Sequence, residues 1–182
     1  MAMTKAAGLI NTRNLLRAKG AGVEQAMLAQ LTPQEVRIYQ DALPVTQLPI
    51  ELLSKVAVLS APLLFPGQGR LEALLSLGRV SALSDLKGIY KILLRFTTPE
   101  FAMKQAARLW TTLHTQGEAR CFSDGEKRIV FEVMGYPDLP EPMRQVLGGY
   151  ILGMAELTGI RNARIALQEE NPRVWRWVVT WG

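Results

Sequence analysis

The chain has one cysteine and one histidine, Cys121 and His114, so any nucleophilic or metal chemistry must start from them. A working Cys–His pair needs a base within reach, a group that orients it and donors for an oxyanion. His114 and Cys121 are separated by "TQGEAR", and nothing nearby supplies the last two parts. One of each residue cannot make an intrachain disulfide and does not suffice for a structural zinc site. Glu169 and Glu170 are adjacent, so they point in different directions and do not form an acid/base pair. "GQGRLE" at 67–72 precedes a helix but lacks the third glycine of a dinucleotide loop and the Lys-Ser/Thr of a P-loop. The reading is therefore non-enzymatic, with no catalytic residues, metal or cofactor.

His114 keeps one sharper role. It falls on a helical stripe with Met103 and Trp110, which would turn its ring toward an apolar space. A lone imidazole there could ligate haem. The plainer role is a half-exposed histidine at a helix end, where its charged form suits the helix dipole.

Composition narrows the setting. A chain of 182 residues with 48% hydrophobic content fits one domain, 1–182, that buries a core without disulfides or metal. The net charge of +5 comes with intermixed acids beyond Glu24 and no recognition motif, so no nucleic-acid partner is expected. The first 20 residues lack a sustained apolar run, and "LPIELLSKVAVLSAPLLFPG" carries Glu51 and Lys55. Neither a signal peptide nor a membrane insertion is expected, and the reading is cytoplasmic.

The elements divide into a helical part, about 11–115, and a sheet-plus-helix part, about 116–182. "AAGLI" at 6–10 reads as a short strand, with helices following over about 12–19, 22–31 and 33–42. Thr32 caps the third of these, Pro33 takes its first position and Glu35 can reach back to the cap. Pro49 opens the next helix, "PGQG" at 66–69 ends it, and "RLEALLSLGRVSAL" forms another. In "SDLKGIYKILLRF", Leu86, Ile89, Tyr90 and Leu93 make one apolar stripe. Thr98 and Pro99 then start a helix that runs to His114.

After residue 116 the apolar period drops to two. "SDGE" turns a hairpin, and Ile129, Phe131 and Val133 share one face of its second strand. A helix follows in "MRQVLGGYILGMAELTG". Gly149 and Gly153 there imply a close approach of another backbone, within the chain or from a partner. In the last hairpin, Ile165 and Leu167 match Trp175, Trp177 and Val179 only across an odd loop such as Glu170-Asn171-Pro172. The tryptophans should then form the inward face of the final strand. The fold class is α+β: a helical N-terminal layer packed on an antiparallel sheet of two hairpins flanking one helix.

Several phrases carry a family resemblance. Gly88-Ile89-Tyr90, Thr98-Pro99-Glu100, Trp110, "FEVMGYPDLPEPMRQVLGGYILGM" and "WRWVVTW" resemble an uncharacterised delta-proteobacterial family abundant in Myxococcales. That family is similar in layout to 4-vinyl-reductase-type domains, haem NO-binding domains and small TRAPP subunits. The resemblance implies an enclosed apolar cavity for a small molecule, haem or an acyl chain, and frequent dimerisation. The last hairpin has no cysteine cluster, so metal is not implied. No tyrosine begins the Tyr-x-Ser-x-Arg signature of the haem NO-binding domains.

Three functions follow as expectations. The first is a non-catalytic domain that binds or senses an apolar small molecule, with Tyr90, Trp110, His114, Trp175 and Trp177 as lining residues. The second is a ligand-free homodimeric adaptor that uses an exposed helix face or the Gly149/Gly153 groove. The third, more distant, is a haem sensor acting through His114.

Overall fold

The computed structural model describes residues 1–85, 98–171 and 173–182. A short strand, β1 (Met3–Lys5), pairs antiparallel with β2 (Gln47–Pro49). Between them lie α1 (Ala7–Lys19), α2 (Ala21–Leu28) and α3 (Pro33–Asp41). After β2 come α4 (Ile50–Leu64), α5 (Arg70–Asp85), α6 (Pro99–Arg108) and the single turn α7 (Trp110–Leu113). Strands β3 (Glu118–Ser123) and β4 (Arg128–Met134), helix α8 (Glu141–Leu157), and strands β5 (Arg164–Asn171) and β6 (Val174–Thr180) complete the order. The four later strands form one antiparallel sheet in the order β3-β4-β6-β5. Helices with an antiparallel sheet of two hairpins flanking one helix make the fold α+β, as the sequence indicates. The helix expected over "SDLKGIYKILLRF", with its Tyr90 stripe, lies outside the described residues beyond Asp85.

Local signals set several boundaries. Thr32 Oγ1 accepts from the Glu35 amide at 3.3 Å, and Glu35 Oε2 accepts from the Thr32 amide at 2.7 Å. Thr98 caps α6 in the same way through the Phe101 amide. The strand expected at "AAGLI" is instead the N-cap and first turn of α1. Leu9, Thr12 and Leu16 are buried at helical spacing, and packing of that stripe overrides the apolar look of 6–10. The true strand lies just before it and is too short to show a period. The long helix expected from 98 to 114 breaks at Leu109 into α6 and α7, and His114 is already extended.

The sheet registers as its apolar faces require. Ile165 faces Val179, and Leu167 faces Trp177. The strands meet as far as Asn171↔Val174, and an irregularity between Gln168 and Asn171 restores the parity expected of an odd loop. Trp175 and Trp177 are buried on the inward face. The outward face is less wet than strand alternation suggests, because Val130 and Glu132 are also fully covered. Arg120 Nε and Arg176 Nη2, on the two neighbouring strands, each lie 2.5 Å from a Glu132 carboxylate oxygen, so that buried charge is paired on both sides.

The closest glycine contacts among the described residues join α5 to α8. A Cβ on Gly78 would sit 1.9 Å from the Val146 carbonyl oxygen, and one on Gly149 would sit 1.9 Å from that of Leu75. On Gly153 it would meet the Arg79 carbonyl oxygen at 2.8 Å. The Gly149/Gly153 groove is therefore filled by α5 of the same chain and is closed to a partner, which overturns its use as an adaptor surface. Gly149→Ala should lower stability by about 3 kcal/mol or more, the scale of overpacking that backbone cannot relieve. Gly22→Ala, in α2 with open space around it, should be neutral or mildly stabilising. Urea unfolding of both variants checks the contrast.

Candidate functional site

Alpha8 presents three faces. Gly149 and Gly153 meet α5. Arg144 and Gly148 meet the tryptophans. The third face, with Met143, Leu147, Tyr150 and Met154, borders a cavity of about 600 Å³. Its other walls come from β1, α1, α4, the end of α5, α6, α7 and Phe131 of β4. Small residues create the space: Ala7 and Gly8 on α1, Ala57 on α4, Ala102 and Ala106 on α6. Most of the wall is carbon, with a few polar groups at its edges.

Two polar sets stand on this wall. At one end Asn11 Nδ2 donates to Asp85 Oδ1 at 2.5 Å, and the Tyr150 hydroxyl donates to Asp85 Oδ2 at 3.3 Å. Burial raises the Asp85 carboxyl above its usual range, while these two hydrogen bonds act the other way. Burial, with the nearby Asp85 charge, also raises the Tyr150 hydroxyl. The set joins α1, α5 and α8, and no spacing along the chain announces it.

His114 is the second. Its ring stacks on Trp110 with centroids 4.0 Å apart and planes 22° from parallel. Tyr136 packs edge-on against both rings, at 6.4 Å and 6.3 Å. Trp110 is itself fixed, since its Nε1 donates to the Gln116 carbonyl at 3.0 Å. The His114 backbone makes an isolated antiparallel bridge to Thr4 of β1. Its Nδ1 is buried and has no hydrogen-bond partner among the described residues. An unsatisfied buried polar atom costs about 1–3 kcal/mol, and the hydroxyl of the neighbouring Tyr136 is another such atom among the described residues. Burial pulls the imidazole down to about 4, which leaves it neutral at pH 7. The charged helix-end histidine read from the sequence is thus corrected: the helix stops short of His114 and the ring turns inward.

Of the five residues named from sequence, Trp110 and His114 line the cavity together. Tyr90 lies outside the described residues. Trp175 and Trp177 are not on the wall, and their assignment as lining residues is corrected. Trp177 donates from Nε1 to the Arg144 carbonyl at 3.0 Å and stands edge-on to Phe131 at 6.3 Å, and Phe131 takes the place on the wall. Trp175 donates to the Tyr136 carbonyl at 2.7 Å, with the Arg144 guanidinium 4.1 Å over its ring. Both indoles are core. Cys121 is buried, and burial pushes its thiol up to about 12, far from a reactive thiolate.

The chain superposes over almost its whole length on solved haem NO-binding domains. An Fe(II) unliganded H-NOX protein from K. algicida matches with a TM-score of 0.66 at 10% identity, covering 98% of this chain and 96% of that one. A triple mutant of an H-NOX protein from S. oneidensis, in the Fe(II) ligation state, gives 0.64 at 9% identity, with 97% and 95% covered. A structure concerned with haem distortion in the H-NOX family gives 0.53 at 9% identity, with 97% and 92% covered.

The fold is the H-NOX fold.

No family model matches the sequence, and no curated protein matches it. At these identities the H-NOX likeness defines architecture alone, so the cavity must be judged on its own residues. Among the described residues no helix is long and apolar enough to cross a membrane.

The neutral state of His114 gives the domain a pH signature. The unfolded chain takes up a proton near the ordinary value of 6.5, whereas the folded chain does so only near 4. Between those values the unfolded state holds more protons, so stability falls as pH drops from 6.5 to 4 and levels off below. The loss should be on the order of 3 kcal/mol. Urea unfolding at pH 7, 5.5 and 4 should show it in the wild type, and His114→Phe should lack that component.

Proposed function

We propose that this domain binds a mainly apolar small molecule in the cavity beside α8 and serves as a sensor or carrier, not as a catalyst. The single observation behind this reading is a cavity of about 600 Å³ walled almost wholly by carbon and bordered by a few polar groups. A site of that size and character suits a small organic ligand. Burial of apolar ligand surface would contribute about 25 cal/mol per Å² before the costs of association. Among the described lining residues the charged side chains are Lys5 and Asp85, one of each sign. A buried Cys121 and a neutral, stacked His114 fit a non-catalytic role. The setting we propose is the cytoplasm, and the resemblance to the Myxococcales family rests on the sequence phrases that carry it. A homodimer, if formed, would use a face other than the Gly149/Gly153 groove.

The deciding experiment fills the cavity. Ala57 is a buried wall residue on α4, and Ala57→Phe places a ring in the open space. The wild type should take up a fluorescent apolar probe such as naphthalene, and Ala57→Phe should bind it at least tenfold more weakly while staying folded by circular dichroism. Equal uptake by both proteins would sink the cavity as the binding site.

A haem sensor is the second reading, and the unpartnered His114 nitrogen favours it. A neutral imidazole at a cavity wall has the donor chemistry that iron ligation needs. His114 would hold the iron, and the haem would supply a site for a small gas. Titration with haemin should then produce a shifted Soret band that His114→Ala removes. A spectrum identical to free haemin, with both proteins, eliminates this reading.

A further inference from the structure

We infer that the cavity takes an amphiphilic amine, with an apolar body inside and a protonated nitrogen held at the edge by Asp85, beside Asn11 and Tyr150. The inference rests on the apolar-ligand reading above and adds the chemistry and the position of the ligand's polar head.

Helical spacing aims these three side chains at one space. On α5, Leu77, Ser81 and Asp85 follow one another a helical turn apart, and all border the cavity. Leu77 and Ser81 are buried whereas Asp85 is exposed, so this stripe runs from the closed interior out to water. On α1, Asn11 lies one turn beyond Ala7, and on α8, Tyr150 lies between Leu147 and Met154; all of these border the cavity as well. The three polar tips meet there, as Asn11 Nδ2 donates to Asp85 Oδ1 at 2.5 Å and the Tyr150 hydroxyl donates to Asp85 Oδ2 at 3.3 Å. An apolar wall with an accessible carboxylate at its edge matches a molecule with an oily body and one polar end.

The chemistry of that edge selects a positively charged donor. A carboxylate offers about four lone-pair sites, and the two hydrogen bonds occupy one on each oxygen. The Asn11 carbonyl and the Tyr150 oxygen add acceptors beside it. An ammonium brings three N–H donors and the opposite charge to such a cluster. A hydroxyl head could donate one bond but would leave the Asp85 charge unanswered, and a carboxylate head would meet it as a like charge. Packing around the Asp85 carboxyl already raises it above its usual range, the mark of a charge short of solvation, and a cation beside it removes that deficit. Because Asp85 stays open to water, the ammonium keeps part of its hydration, and the desolvation that defeats a fully buried ion is reduced. Lys5, the opposite charge on the wall, comes from β1 and takes no part in these two hydrogen bonds.

Probes that share one ring system isolate the polar head. Naphthalene, 2-naphthylmethylamine and 2-naphthoate are titrated into the full-length protein at pH 7, where the amine is protonated, with wild type, Asp85→Asn, Tyr150→Phe and Ala57→Phe compared. The wild type should bind the amine roughly fivefold more tightly than naphthalene, the scale of a partly exposed ion pair, and should bind 2-naphthoate most weakly. Asp85→Asn, which keeps the side-chain shape and one acceptor oxygen, should bind naphthalene undiminished and lose the preference for the amine. Tyr150→Phe should lose part of it, and decides the matter if Asp85→Asn proves unfolded by circular dichroism. Equal affinity for amine and naphthalene in the wild type, or an amine preference undiminished in the folded variants, overturns this inference and leaves the cavity reading standing. Tightest binding of 2-naphthoate does the same and moves the polar head to Lys5. Failure of all three probes to bind, or binding undisturbed by Ala57→Phe, overturns the cavity reading and this inference with it.

Discussion

The architecture depends on the backbone contact between α5 and α8. Three glycines, Gly78, Gly149 and Gly153, let the two helices approach until a single Cβ would overlap a carbonyl oxygen. At that spacing the helices behave as one rigid unit, because no flexible side chain lies between them to yield. The cost of glycine in a helix interior, about 1 kcal/mol each, is offset by the contact it permits. Everything near the cavity is placed relative to this pair. Asp85 reaches Tyr150 because α5 lies directly on α8, and the tryptophans find their hydrogen-bond acceptors on the loop before α8 and in its first turn.

Order on one face of α8 and space on the next follow from side-chain size. The face toward β6 is filled by indoles that donate to Tyr136 and Arg144 carbonyls, and Gly148 gives Trp177 room. The face toward α1 and α6 meets Ala7, Gly8, Ala102 and Ala106, whose short side chains cannot fill the gap. A helical layer on a sheet needs a core, and here the core is divided: dense where the large aromatics lie, hollow where small residues face one another. Phe131 stands at the boundary, touching Trp177 on one side and the cavity on the other. Close packing on one side of α8 and open space on the other thus follow from the sizes of the residues that face it.

The likeness to H-NOX domains at about a tenth identity makes the same point from another direction. The layer arrangement persists at an identity this low. Here no tyrosine begins the Tyr-x-Ser-x-Arg signature associated with the haem NO-binding domains, and the one histidine is stacked on a tryptophan with a tyrosine beside the pair. A shared frame fixes the architecture, while function is set by the residues of the site.

Sequence alone determined the features that depend on neighbours along the chain. The Thr32–Glu35 capping box, the Pro99 helix start, the two hairpins and the matched apolar faces of β5 and β6 all follow from local hydrogen bonding and from periods of 3.6 and two. It also placed Trp110 and His114 together, although by a helical stripe that the structure replaces with a single turn followed by an extended His114. What it could not determine were relations among distant residues. Gly78 gave no sign of its role until α8 lay against it, and Asn11, Asp85 and Tyr150 come from three helices. Trp175 and Trp177 are inward-facing, as their alternation required, but inward meant the dense side of α8 and not the hollow one. Alternation fixes the face of a strand. Which neighbour fills that face, and whether any space is left, is decided only when side-chain volumes from the whole chain meet in three dimensions.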